Sequence, residues 1–411
     1  MKTEKLLVIA DDLTGANDTG IMFAESGLST ILKTNLTNLL TTYLDNADVF
    51  TVSTDSRALG KRAVEITKQT VAAAIDNKVE QIYLKIDSTM RGSVQYQIEG
   101  ALAAWSKKYP EAKAVICCAY PDMGRTIENG YLYVNGVPVH ESASGKDPIC
   151  PVLSSDMKEL LPDSYILTYI NEDDLYKKIL STKQNQIVLN AETDHDLEVI
   201  AKVIHRIGNR IIPVGSAGLA KKLKNNGSKL QYQSEPINLG RTLILVTSIH
   251  ETSQTQVDEY ISSVGGNSIV FNPAPSQLIN YDVSNTSLKQ QLYALISNCK
   301  NNVIIRANPA KINMDISIHE IAKLISKYLA ELAKYCLEHK SFDSLILFGG
   351  DGAAALLDEI GVTELQLLRS ILPGVPLCII KAGKFQGLKV MTKSGGFGDK
   401  KLLINMMKNN L

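Results

Sequence analysis

The 411-residue sequence is poor in several features, and each shortage removes a class of protein. Its six cysteines (Cys117, Cys118, Cys150, Cys299, Cys336 and Cys378) are scattered, form no CxxC pair and do not group with the six histidines. That spacing argues against structural zinc and against a disulfide framework. Charge of either sign is not in excess, with 43 Lys and Arg against 43 Asp and Glu. No overall field therefore draws the chain to nucleic acid or to an anionic membrane. No apolar run approaches the roughly 20 residues that span a bilayer. The run Leu6–Ala10 ahead of Asp11 is too short for a signal-peptide core. Together these shortages predict a cytoplasmic protein with no nucleic-acid and no membrane partner. A GxxxxGKS or GxxxxGKT segment is missing, which excludes the P-loop class. No GxGxxG opens the first strand-helix unit, which counts against a dinucleotide oxidoreductase.

What is present is a repeated alternation of short apolar runs with longer segments of helical period, the mark of α/β architecture around mainly parallel sheets. Strands are expected at Leu6–Ala10, Ser29–Lys33, Asp48–Ser53, Gln81–Ile86, Ala114–Ala119, Gln186–Asn190 and Ile211–Val214. Helices are expected at Asp18–Ser26, Ala58–Asn77 and Ser93–Lys107. Tyr120–Pro151 reads as an irregular insertion with a hairpin near Tyr131–Val139. Lys224–Gly240 is polar, carries Gly and Pro and has no periodicity, which is the composition of a linker. A second series follows at Thr242–Thr247, Asn267–Phe271, Asn302–Arg306, Ser344–Phe348, Pro376–Ile380 and Lys389–Thr392, with a long helix at about His319–His339. Length alone favours ~2 to 3 domains. The expected fold is two α/β domains, 1–235 and 236–411, each a mainly parallel sheet flanked by helices, with a substrate and nucleotide cleft between them.

Ligands of open α/β sheets collect beyond the carboxyl ends of the strands. In the first half those ends are charged. Asp11 and Asp12 follow the first strand, Asp55 and Arg57 the third, and Lys85, Asp87, Ser88 and Arg91 surround the end of the fourth. Adjacent carboxylates need a cation, a donor cluster or solvent to stay ionised. A helix cap at Asp12 or Thr14 would explain one oxygen but not two neighbouring acids. A rim of two arginines, one lysine and several aspartates suits a small substrate bearing both a carboxylate and hydroxyls. In the second half, Gly349-Gly350-Asp351-Gly352 and Gly395-Gly396 form glycine-rich turns after strands, and Thr247-Ser248 follows the first strand there. Glycine lets backbone N–H groups approach phosphate, and the helix expected at Ala353–Glu359 favours an anion at its start. Two such sites suggest phosphoryl transfer, in which catalysis is mostly positioning and charge neutralisation.

Three segments carry a family resemblance. Ala10-Asp11-Asp12-Leu13-Thr14-Gly15-Ala16-Asn17-Asp18-Thr19-Gly20, Lys85-Ile86-Asp87-Ser88-Thr89-Met90-Arg91-Gly92 and the segment Asn129–Pro138 resemble the four-carbon acid sugar kinases. Gly215–Ala220, Gly349–Ala353 and Lys393–Gly398 extend the resemblance over the whole chain. It implies an ATP-dependent kinase that uses Mg2+ and phosphorylates the C4 hydroxyl of a four-carbon sugar acid. The form of the first segment is closer to D-threonate and D-erythronate members than to 3-oxo-tetronate members. The resemblance implies acid contacts at Asp11-Asp12, Arg57 and Lys85–Arg91, and ATP contacts at Ser248, Gly349–Gly352 and Gly395–Gly396. Two departures stand out: His250 where a small residue is usual, and Lys146 where the family has Arg.

The resulting expectation is that Asp12 orients or deprotonates the C4 hydroxyl, with Asp11 supporting the geometry or the metal. The roles of the two could be exchanged. Arg91 and Arg57 would grip the carboxylate, and Lys85 and Asp87 would bind hydroxyls. The metal ligands are not identified, and the sequence leaves room for a homo-oligomer. The rival readings are a D-erythronate or 3-oxo-tetronate kinase, another small-molecule kinase, and a non-catalytic sensor of a sugar acid and a nucleotide.

Overall fold

In the computed structural model the described residues are 5–41, 44, 46–147, 149–223, 237–264, 268–279, 281–298, 300–306, 318–372, 374–393 and 396–408. The chain divides into two compact units, Met1–Leu230 and Gln231–Leu411. The expected boundary at 235, and most of the expected linker, lie outside the described residues.

The first unit contains β1 (Leu6–Ala10), β2 (Thr30–Lys33), β3 (Val49–Ser53), β4 (Gln81–Lys85), β5 (Lys113–Cys117), β6 (Arg125–Glu128), β7 (Tyr131–Val134), β8 (Val137–Pro138), β9 (Tyr165–Leu167), β10 (Gln186–Leu189) and β11 (Ile211–Gly215). Eight of these form a sheet in the order β2-β3-β1-β4-β11-β5-β10-β9, and every pairing within it is parallel. Parallel strands are covered on both faces, so they read as continuous apolar runs. Leu7 to Ala10 of β1 are fully buried, and burying each large aliphatic side chain is worth ~1.5–3 kcal/mol. The strand order reverses at β1, with β2 and β3 on one side and β4 on the other. That is the switch point at which such sheets bind ligands.

The second unit repeats this plan. Its strands are β12 (Thr242–Val246), β13 (Ser268–Phe271), β14 (Asn302–Arg306), β15 (Ser344–Phe348), β16 (Glu364–Leu372), β17 (Val375–Ile380) and β18 (Lys389–Lys393). They run in the order β13-β14-β12-β15-β18-β17-β16. Here β12 is the switch strand, and among the described strands only β17 runs against the rest, pairing antiparallel with both β18 and β16.

Four expectations need correction. The first helix spans Leu13–Ala24 rather than beginning at Asp18, because Asp12 caps it by accepting the Gly15 N–H at 2.7 Å. Thr14-Gly15 is thus the opening helical turn and not a separate loop. The helix after β15 likewise starts at Gly350 and ends at Glu359, so the GGDG segment is its first turn. The expected hairpin is a three-stranded antiparallel sheet of β6, β7 and β8 that begins earlier, at Arg125. Strands β9 and β16 are additional.

Candidate functional site

Register brings the charged residues of the first unit together. Ala10 of β1 lies beside Ser53 of β3 and Lys85 of β4, so residues 11–12, 54–57 and 86–91 leave the sheet along one edge. The loop after β3 is tied to β1 by backbone bonds from Thr54 N to Ala10 O and from Ser56 N to Asp11 O. Below it, buried Ser56 is held by the Thr54 hydroxyl and by Gln97. Ser93 Oγ donates to the Arg57 carbonyl at 2.9 Å, and Gly92 packs so closely against that carbonyl that a Cβ would approach to 2.6 Å. The Arg57 side chain is consequently launched from a fixed backbone.

Arg57 is the hub of the rim. Its Nε and Nη2 donate to the two oxygens of Asp11, at 2.6 and 3.1 Å. Its Nη1 lies 2.7 Å from Asp12 Oδ2, and Nη2 lies 3.9 Å from Asp87 Oδ1. Asp11 is almost wholly buried. Burial and the Asp12 charge raise its carboxyl above the usual range, while Arg57 and Lys85 pull the other way. The adjacent acids therefore have the cation they required. Asp12 is also the helix cap, so the capping and ion-pairing readings of this residue both apply, one per oxygen.

Arg91 forms a second fork, with Nε and Nη2 donating to Asp87 at 3.0 and 2.9 Å. Its Nη1 reaches Asp147 at 3.0 Å, which fastens the insertion to the rim. Burial alone would raise Asp87, but Arg91, with help from Arg57 and Thr89, holds it well below the usual carboxylate range. Both guanidiniums retain uncommitted N–H donors for a ligand. Lys85 is buried at the end of β4 and Ser88 is half-buried beyond it. Lys146 is exposed, and its neighbour Asp147 makes the contact with Arg91.

In the second unit, Val246, Phe348 and Lys393 end adjacent strands in register. Thr247 and Ser248 donate their N–H groups to the Phe348 carbonyl, and Gly349 donates to the Lys393 carbonyl. Gly349 has φ of 106°, a backbone state open to glycine, and caps the helix without a side-chain bond. At Gly352 a Cβ would lie 2.1 Å from Thr247 Oγ1, so glycine is demanded by the approach of the two segments. The N–H groups of Gly350, Asp351 and Gly352 open the helix, where the backbone donors and the helix dipole favour an anion. Ser248 is half-buried beside this turn, and its carbonyl accepts from Gln254 at 2.7 Å. His250 stands against Gly396, 3.1 Å from the place of a Cβ. Gly395 lies outside the described residues.

Comparison with known proteins agrees with this division. The family model of a sugar-binding N-terminal domain matches residues 6–223, and that of a nucleotide-binding C-terminal domain matches residues 243–403. A D-threonate kinase of Bordetella bronchiseptica is 30% identical over 406 residues, covering 97% of this chain and 95% of that protein. The chain belongs to the four-carbon acid sugar kinase family. A second relative, a D-erythronate kinase of Heliobacterium modesticaldum, is 25% identical over 431 residues and covers 96% of this chain and 94% of its own. The crystal structure of a Haemophilus influenzae protein has the same fold, with a TM-score of 0.77 at 23% identity and coverage of 98% and 100%.

Two residues of this family member were not singled out from its sequence. Lys393 is buried at the end of β18, with Nζ 3.1 Å from Ser253 Oγ and above the Phe348 ring. Burial lowers its ammonium to about 8. Its position between an apolar run and a glycine pair was the available signal. The other is Asp18, on the helix that Asp12 caps, whose carboxyl burial raises to about 6. It lies inside the first segment of resemblance, but only the helix register directs it to the rim.

Proposed function

We propose that the chain is a cytoplasmic ATP-dependent kinase that phosphorylates the C4 hydroxyl of a four-carbon sugar acid, D-threonate by preference. The observation that carries this reading is the rim at the β1 switch point, where Asp11, Asp12, Arg57, Lys85, Asp87 and Arg91 converge and Ser88 follows Asp87 in the chain. Cationic forks suit the substrate carboxylate, and the aspartates suit its hydroxyls. The helix start at Gly349–Gly352, with Ser248 and Gly396 beside it, is suited to the phosphates of ATP. In this scheme Asp12 orients the acceptor hydroxyl, and Asp11 keeps Arg57 in place. Lys85 binds the acceptor hydroxyl and neutralises charge that gathers on the transferring phosphoryl group.

Among the described residues no three His, Cys, Asp or Glu side chains gather into a metal cage. A carboxylate beside the helix-start N–H groups fits Mg2+ carried on nucleotide phosphates, a cation bound by one or two carboxylates plus phosphate oxygens. Asp351 is the carboxylate at the glycine turn that would share in holding it. When bound there, Mg2+ supplies neutralisation of phosphate charge.

Relatives named D-threonate kinase and D-erythronate kinase both align over nearly the whole chain, so the epimer is the second reading. The test is ADP release, coupled to a reporter, with D-threonate, D-erythronate, L-threonate and their 3-oxo forms. D-threonate is expected to have the highest kcat/KM. A higher value for another acid transfers the assignment to it. Binding of acid and ATP without any turnover would support a sensor and overturn the kinase reading.

A further inference from the structure

The rim carboxylates differ in how far they are committed. Both oxygens of Asp11 accept from Arg57. Asp12 caps the helix with one oxygen and pairs with Arg57 through the other. Asp87 is held by Arg91 and Thr89. Half-buried Asp18 takes no hydrogen bond or ion pair from any described residue.

Its place on the helix directs it to the same spot. Asp18 is three residues beyond Gly15, so the two share a helix face. Helical side chains lean toward the N-terminus, which carries the Asp18 carboxylate over Gly15. A Cβ on Gly15 would lie 2.8 Å from Asp12 Oδ1 and 2.9 Å from Lys85 Nζ. The Asp18 charge is felt by both Lys85 and Asp12. Gly15 thus stands against Asp12 Oδ1 and Lys85 Nζ, with Asp18 one turn further along the same face of the helix.

We propose that Asp18 is the general base of the phosphoryl transfer, accepting the proton of the acceptor hydroxyl that Asp12 and Lys85 orient. This rests on the kinase reading above. In the step the hydroxyl O–H bond breaks and its proton passes to an Asp18 oxygen. The hydroxyl oxygen forms a bond to the γ-phosphorus, and the bond from that phosphorus to the bridging oxygen breaks, leaving ADP. Asp18 then releases the proton to water. The oxygens of Asp11 and Asp12 are less available to take that proton, because Arg57 and the Gly15 N–H already occupy them. With its carboxyl raised to about 6 by burial, Asp18 is more basic than an ordinary aspartate and still ionised at neutral pH. The charged groups that act on it are Lys85 and Asp12, and the neutral phenol of Tyr120, beyond the end of β5, feels its charge. On the packed helix Ala217–Lys222, Lys221 is paired with Asp122, and Lys222 with Asp194 and Glu198.

The test is Asp18→Asn in the full chain, with the acid on which the wild type is most active. Three results are expected together: a fall in kcat of ~100-fold or more, acid binding by calorimetry within ~3-fold of wild type, and loss of the acidic limb of the kcat–pH profile. Asp18→Glu should recover part of the rate. Retention of more than a tenth of kcat with the pH profile unchanged would overturn the proposal. So would a loss of rate restored by raised Mg2+, which would assign Asp18 to the metal, or a parallel loss of acid binding, which would make it structural. A wild type that turns over no four-carbon acid would bring down the kinase reading itself, a different result from an active wild type with an active Asp18→Asn variant.

Discussion

Arg57→Met tests whether the paired acids at the end of β1 depend on the guanidinium between them. The substitution keeps the length of the stem and removes the charge. It leaves Asp11, with a side chain 1% exposed, beside Asp12 and without the cation that now lies 2.6 Å from it. Removing one partner of a buried pair costs ~3–5 kcal/mol. Arg57 is 25% exposed and Asp12 27% exposed, so water recovers part of that, and ~2–4 kcal/mol is expected at neutral pH. For a unit of this size that corresponds to a fall in Tm of ~5–15 °C.

The sign of the pH effect follows from Asp11. Burial and Asp12 already raise its carboxyl, and Arg57 is the main opposing charge. Without Arg57 the carboxyl rises further above its unfolded value. The folded variant then holds a proton that the unfolded chain releases, so its stability falls as pH climbs through that window. The deficit should be small near pH 4 and largest at pH 7 and above. The single tryptophan, Trp105, is fully buried in the first unit, so its fluorescence follows unfolding of that unit alone. Adding Asp11→Asn to Arg57→Met should recover at least half of the loss. A deficit under ~1 kcal/mol at neutral pH, or no recovery in the double variant, would refute the argument.

Two further outcomes follow from the geometry. Gly352→Ala would force a methyl group against Thr247, so the KM for ATP should rise ~10-fold or more while the KM for the acid holds; unchanged steady-state constants would show that the turn adjusts without harm. Asp18→Asn should stabilise the first unit, because the ionised carboxylate is penalised by burial: a rise from 3.8 to about 6 corresponds to at most ~3 kcal/mol. That gain should be absent below pH ~4, appear between pH ~4 and ~6 and then level off. Urea unfolding followed by Trp105 fluorescence measures it, and a variant no more stable than wild type at pH 7.5 would contradict the penalty.

The sequence by itself determined the strands of both parallel sheets to within a residue or two at most positions, because a strand covered on both faces must be apolar throughout and must stop where the chain turns to solvent. Leu6–Ala10 and Ser344–Phe348 are plain examples. It also located the polar residues at the strand ends, since Asp11-Asp12 and Lys85–Arg91 break apolar runs abruptly. Strand β16 was not legible: burial alternates only over its first four residues, the remaining five are all partly exposed, and they include Arg369 and Ser370, so no single period runs its length. Nor was the start of either ligand-side helix, because capping by Asp12 and the approach of Thr247 to Gly352 are contacts with a particular geometry. Above all, sequence spacing could nominate charges but not state which were already spent. That Arg57 serves Asp11 and Asp12, that Arg91 serves Asp87 and Asp147, and that Asp18 takes no partner among the described residues depend on strand register and helix phase. Those bring together residues 46 and 56 positions apart, and only tertiary structure decides them.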